Sequence, residues 1–541
     1  MQDVSNLVSG RSEESGTEPS GLLFSKGWCA MKRMLQAGLA RAIREDRMTV
    51  PILILAVVVV LMVQVVLLGQ IAVSPGTPIP NLQPFADPTG TVATFNTTGD
   101  IDTTNPFFQS LGTNGRACVT CHEPSDAFGL SAAHAKVRFD LTGGTDPLFA
   151  AVDGANCPNA NATTGSDDQH SLLLNEGLIR IFLPVPANAQ FSIRAVHDPY
   201  GCALVTDSNS GQRVASVYRR PLPTTNLNFL STVMFDGRET LAPLNNPSTF
   251  QANLVTDLTH QAMDATNGHA QASPPLTISD PRLPPIVNLE LGFFTAQTMD
   301  QTPGQLNALG ANGGPQYLAG QSYYPGINDS LTPSVFNPTV FTIYSAWQNL
   351  QGAPGDPTVA ARQAVAAGEQ LFNTFPLTIT AVRGLNDNPA LGRPPKIMGT
   401  CTTCHDTPNV GNHSLPLPLD IGTSHSAKQE GDAQIAGGLS QLSIANLPVF
   451  ELSGCPDLQN PGHVLPPFYT SDPGKALLTG ACTDINRIKG PILRGLAARS
   501  PLFHNGAAGS LNQIVDFYNL RFQMNLTDQQ KAQLVAFLQT L

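Results

Sequence analysis

Cys401-Thr402-Thr403-Cys404-His405 is the stretch whose reading decides how this chain folds, and its pattern stands once more upstream as Cys118-Val119-Thr120-Cys121-His122. Two thiols three residues apart, followed at once by a histidine, form the attachment pattern of c-type haem. The thiols add to the porphyrin vinyl groups, and the histidine ligates the iron from one face. Zinc and redox-disulfide sites use the same residue types. Two such pentads, each opening a segment of domain size, favour haem over both. Cys118, Cys121, His122, Cys401, Cys404 and His405 are therefore the candidate cofactor-binding residues, with His122 and His405 as iron ligands.

Around the pentads lies a chain of 541 residues, long enough for several domains with ample buried core. Charged residues make up only 13%, and 47 Gly with 45 Pro indicate many loops without the bias of a low-complexity chain. The net charge of −11 excludes a basic nucleic-acid footprint. Of the nine cysteines, five stand outside the pentads: Cys29, Cys157, Cys202, Cys455 and Cys482. The last four allow three disulfide connectivities, of which the nearest-neighbour choice is Cys157–Cys202 with Cys455–Cys482. Free thiols are the alternative.

Taken in order, residues 1–48 are polar with a basic run and read as a cytoplasmic tail. Residues 49–73 (TVPILILAVVVVLMVQVVLLGQIAV) are apolar over a length sufficient to span a bilayer. Basic residues before this stretch predict a single-pass bacterial inner-membrane protein, N-terminus cytoplasmic and haem domains periplasmic; a cleaved signal peptide is the competing reading. Residues 74–104, rich in Pro, Gly, Thr and Asn, read as a linker. An N-terminal haem domain is expected over 105–335 and a C-terminal one over 336–541. Ser131–Phe139 reads as a short helix, and a helix is expected from Thr358 as N-cap. Capping boxes at Ser510–Gln513 and Thr527–Gln530 open two amphipathic helices at the end of the chain. The expected fold class is mainly α: two c-type cytochrome domains with long loop insertions, preceded by a single transmembrane helix.

The chain resembles the bacterial di-haem cytochrome c peroxidase and MauG superfamily. The likeness is carried, in order, by the first pentad, RRPLPTTNLNFLSTVMFDGRE at 219–239, the second pentad, and IKGPILRGLAARSPLFHNGAAGSLNQIVDFYNLRF at 488–522. It implies two haem c groups, the C-terminal one relaying electrons and the N-terminal one meeting peroxide. In the peroxidases a methionine fourteen residues after the His of the PLFHNG-type motif closes the C-terminal haem. That count from His504 reaches Tyr518, as in the MauG-type branch, with Met524 as the rival. A tyrosinate favours ferric iron and a lower potential than a His/Met pair.

The resemblance also marks departures. The family's inter-haem tryptophan position is Phe235 here, a side chain far harder to oxidise. Pro221 and Arg499 replace residues associated with the family's calcium, so calcium is not expected. On the N-terminal haem, His134 is a candidate sixth ligand, and the family's distal pair aligns with Gln261 and the Asn267–Gln271 region, making Gln261 and His269 candidate catalytic residues. Lys489, Arg494 and Arg238 are candidates to pair with haem propionates. The implied activity is reduction of hydrogen peroxide with electrons from a small cytochrome or cupredoxin-type donor protein. The alternatives are a di-haem electron-transfer cytochrome without peroxidase chemistry and a MauG-like enzyme that oxidises protein side chains.

Overall fold

The computed structural model describes residues 76–541 apart from 160–166, 208–209, 245, 325, 332–334 and 430–432. The apolar stretch 49–73 and Cys29 lie outside the described residues. Among the described residues no helix is long and apolar enough to cross a membrane. The longest, Phe250–Gly268, has 19 residues, but Asp257, His260 and Asp264 on it rule out a bilayer span. Among the described residues, then, the expected single-pass anchor and the inner-membrane placement built on it find no span to rest on.

The fold is not mainly α. Helix accounts for 31% of it and strand for 16%, and among the described residues the strands form four antiparallel sheets. The stretch expected as a linker instead supplies strand Gly90–Asn96, which pairs with Phe293–Asp300 from Gly90↔Asp300 to Asn96↔Phe293. Both strands are buried on nearly every residue, so neither shows the alternation of a half-exposed strand. A second sheet joins Ser192–His197 to Val449–Ser453 and Phe468–Thr470, across the expected 335/336 boundary. A third pairs Ile179–Pro184 and Leu204–Thr206 with Arg213–Arg219. The fourth, a hairpin of Leu377–Ile379 and Ile397–Gly399, fills the expected 376–400 insertion.

Helices surround the pentads. Asp356, not Thr358, caps the Pro357–Thr374 helix: its side chain accepts from the N–H groups of Thr358 and Val359, and Pro357 occupies the first turn. Gly368 of this helix faces the Asp528–Gln539 helix so closely that a Cβ would stand 2.0 Å from the Gln533 carbonyl oxygen. Ser510 caps Leu511–Arg521, and Thr527 with Gln530 forms a reciprocal box on Asp528–Gln539. Both expected disulfides are present, Cys157–Cys202 and Cys455–Cys482. One apolar core contains Phe107, Phe128, Phe293 and Leu258; another contains Trp347, Phe372 and Phe537.

Candidate functional site

The two pentads fold alike. In each, the first cysteine opens a short 3-10 turn whose carbonyl accepts from the second cysteine and from the histidine. The distances are 3.2 and 3.1 Å at Cys118, and 3.2 and 2.9 Å at Cys401. The last threonine of the turn accepts the backbone N–H just before the pentad: Ala117 to Thr120 Oγ1 at 3.0 Å, Thr400 to Thr403 Oγ1 at 2.9 Å. This local bonding explains why Thr recurs directly before the second cysteine. Cys118, Cys121, Cys401 and Cys404 are free thiols.

Each histidine is oriented by its own chain. His122 Nδ1 meets the Phe128 carbonyl at 3.2 Å, and His405 Nδ1 meets the Gly411 carbonyl, six residues downstream in both cases. Donating Nδ1–H to a carbonyl fixes the tautomer and leaves Nε2 with a lone pair, the arrangement of a metal-ligating imidazole. Burial pushes both imidazoles down to about 4, so each is neutral near pH 7.

Each pentad opens onto a cavity. That of Cys118, Cys121 and His122 has about 1300 Å³ of empty space, and that of Cys401, Cys404 and His405 about 1620 Å³. One face of the Phe250–Gly268 helix walls the first cavity with Leu258, Gln261, Ala262 and Ala265, joined by His269 at its C-cap. One face of Leu511–Arg521 walls the second with Leu511, Ile514, Val515 and Tyr518. The long insertions contribute as well, Ile179 and Ile181 to the first, Leu377 and Ile379 to the second. Phe235, Lys489 and the Arg220–Pro223 segment border both cavities.

The residues present fit a covalently held, carboxylate-bearing haem at each pentad. Besides the thiols and oriented imidazoles, cationic groups face these cavities without carboxylates of their own. Lys489 is buried, and its Nζ donates to the Thr232 carbonyl at 2.8 Å. Burial pushes its amine down to about 7, and the Arg220 guanidinium down to about 9 despite the nearby Asp126. Such cations suit an anionic partner in the cavity. Arg238 also lines the first cavity and pairs with Asp236 at 3.0 Å. Arg494 lines neither; its Nε donates to the Asn409 carbonyl at 2.6 Å.

The remaining sequence candidates separate. Gln261 and His269 stand in the wall of the first cavity with His122. His269 Nδ1 is held by Asp153, which is itself held by Arg116. Arg116 in turn donates to the Pro147 carbonyl at 2.7 Å and the Leu148 carbonyl at 2.8 Å. Burial would raise the Asp153 carboxyl, but Arg116 and His269 outweigh it and hold the carboxyl below its ordinary value. His134 is placed elsewhere: it is absent from the cavity wall and pairs with Asp126 at 2.7 Å. Tyr518 and its rival Met524 both line the second cavity. Sequence reasoning missed Asp153, which has no motif signal, and Glu290, a cavity-lining carboxyl. The signal for Glu290 was its position as the lone charge in LPPIVNLELG at 283–292.

Taken together, these features give the chain two pentads of the c-type haem attachment pattern, each opening onto its own cavity. No family model matches the chain. A curated relative, Cytochrome-c peroxidase IdrP2 of Denitromonas iodatirespirans, is 27% identical over 150 residues, covering 26% of this chain and 36% of that protein. The likeness is to a peroxidase-type cytochrome, and the match spans about a third of the relative's length.

Proposed function

We propose that this chain is an oxidoreductase carrying two covalently bound haem c groups, one on Cys118, Cys121 and His122, the other on Cys401, Cys404 and His405. It reduces hydrogen peroxide in the N-terminal cavity with electrons delivered at the C-terminal one by a small cytochrome or cupredoxin-type protein. When bound, haem iron supplies one-electron exchange and a coordination position for the oxidant. The chain's own residues do the rest. His122 and His405 offer Nε2 as ligands because Phe128 and Gly411 hold their Nδ1–H groups. Lys489 and Arg238 offset carboxylates within the cavities. His269 takes and returns a proton at Nε2, with Asp153 fixing its ring and stabilising the protonated form. Gln261 orients a small polar ligand by hydrogen bonding.

The observation that carries this reading is the pairing of two pentad-lined cavities across one shared wall, with His269, its Nδ1 held by Asp153, in the wall of the first. The distant likeness to a cytochrome-c peroxidase supports the same reaction class. The test is a pyridine-haemochrome count followed by peroxide consumption with a reduced donor protein. Two haems per chain and two electrons consumed per peroxide are expected. Fewer than two covalent haems would sink the reading. Two haems without peroxide consumption would leave electron transfer.

A further inference from the structure

The helix Leu283–Gly292 is uncharged but for Glu290. Leu283, Ile286, Val287 and Leu289 pack into the N-terminal core. Glu290, one turn beyond Ile286, stands with it in the wall of the cavity that contains Cys118 and His122. It is 3% exposed, and its Oε2 has no hydrogen-bond partner. The contrast with other buried carboxyls is informative. Asp153 and Asp236 face arginines, and Glu369 accepts from the N–H groups of Ile343 and Tyr344. Glu290 has no such partner among the described residues, and its titratable neighbour is the Cys118 thiol. An unpaired carboxylate in such surroundings costs several kcal/mol. Burial accordingly pushes the carboxyl up to about 8. A neutral carboxylic acid has what the anion lacks, an O–H to donate.

We infer that Glu290 is a proton donor of the N-terminal cavity, a neutral carboxylic acid that hydrogen-bonds to the oxygen ligand reduced there. The inference rests on the proposed peroxide reaction. Cleaving the O–O bond of hydrogen peroxide to two waters consumes two electrons, supplied by the donor protein, and two protons. Glu290 supplies one, becomes carboxylate, and regains a proton from water before the next turnover. His269, whose side chain is 32% exposed, exchanges the other with solvent.

Infrared difference spectroscopy on the haem-loaded full chain reads the C=O stretch of a neutral carboxylic acid. One such band is expected to be missing from Glu290→Gln, and the same band in the unsubstituted protein should shift when cyanide occupies the cavity. Peroxide turnover should fall about 100-fold in Glu290→Gln, with Glu290→Asp intermediate. Should Glu290→Gln not fold, the cyanide shift and the isotope shift in D2O still report the acid in the unsubstituted protein. A spectrum with no neutral-carboxyl band, or a band that cyanide does not move, overturns the inference. A chain that consumes no peroxide, yet keeps a cyanide-sensitive band lost in Glu290→Gln, overturns the peroxide reaction and leaves Glu290 as donor to a different oxygen ligand.

Discussion

Tyr518 and Met524 compete for the same space, since both line the cavity of the second pentad. Tyr518 belongs to the helix face that forms its wall, and its ring packs against Phe522 with centroids 6.0 Å apart. A phenolate is the harder donor and suits ferric iron. Replacing Tyr518 with Phe should therefore change the optical spectrum of the C-terminal haem, whereas Met524→Leu should leave it unaltered; the reverse result would assign the ligand to Met524. A second residue-scale expectation concerns acid. Arg219 reaches Asp236 at 2.6 Å and Asp472 at 2.7 Å, all three buried. Burial opposes ionisation of Asp236, but Arg219 and Arg238 outweigh it and hold its carboxyl down at about 2. Because the folded value lies below the unfolded value of about 4, this contribution is complete above about pH 4. It is lost as pH falls toward about 2. Urea unfolding across that window should show stability declining, with a shallower decline in Asp236→Asn. The same variant should be about 3–5 kcal/mol less stable at neutral pH, because it leaves a buried guanidinium short of a partner.

At the scale of the element, the contact between Pro357–Thr374 and Asp528–Gln539 depends on the missing side chain of Gly368. A methyl group there meets backbone oxygen at 2.0 Å and the Phe537 Cβ at 2.8 Å, neither of which is the end of a flexible side chain. Gly368→Ala should lower stability by about 1–3 kcal/mol despite alanine's higher helix propensity. A thermal melt in which this variant is unchanged or more stable would contradict the packing. Such contacts mark where sequence reading stops. The helices at the chain end were legible because their caps are local: Thr527 and Gln530 bond each other's backbone at 3.3 and 3.0 Å. The disulfides were legible because neighbours in sequence are neighbours in space. The first sheet was not, because Gly90–Asn96 finds its partner about 200 residues later and both strands are buried too fully to alternate. In the site, the pentads, Gln261 and His269 carried a motif or a resemblance. His134 had only its nearness in sequence to His122, and Asp126 takes it instead. Glu290 and Asp153 gain meaning from burial and from what faces them.

Across the whole molecule, the two cavities depend on one shared wall. Phe235 accepts the Lys489 N–H on its carbonyl at 2.8 Å and turns its ring toward His504, with centroids 5.9 Å apart. This side chain borders both cavities, yet benzene-type rings are poor electron-hopping stations. Its contribution is then to fill space and hold the Arg220–Pro223 segment and Lys489 in register between the sites, which another apolar side chain of similar volume can do. Phe235→Leu should leave the rate of electron transfer between the two haems, followed by stopped-flow absorbance after rapid reduction, unchanged within error. Lys489→Met removes a buried cation that borders both cavities, so it should lower the reduction potentials, as read by spectroelectrochemical titration. A large loss of transfer rate in Phe235→Leu, with both haems attached and the fold intact, would instead make the ring itself part of the electron path.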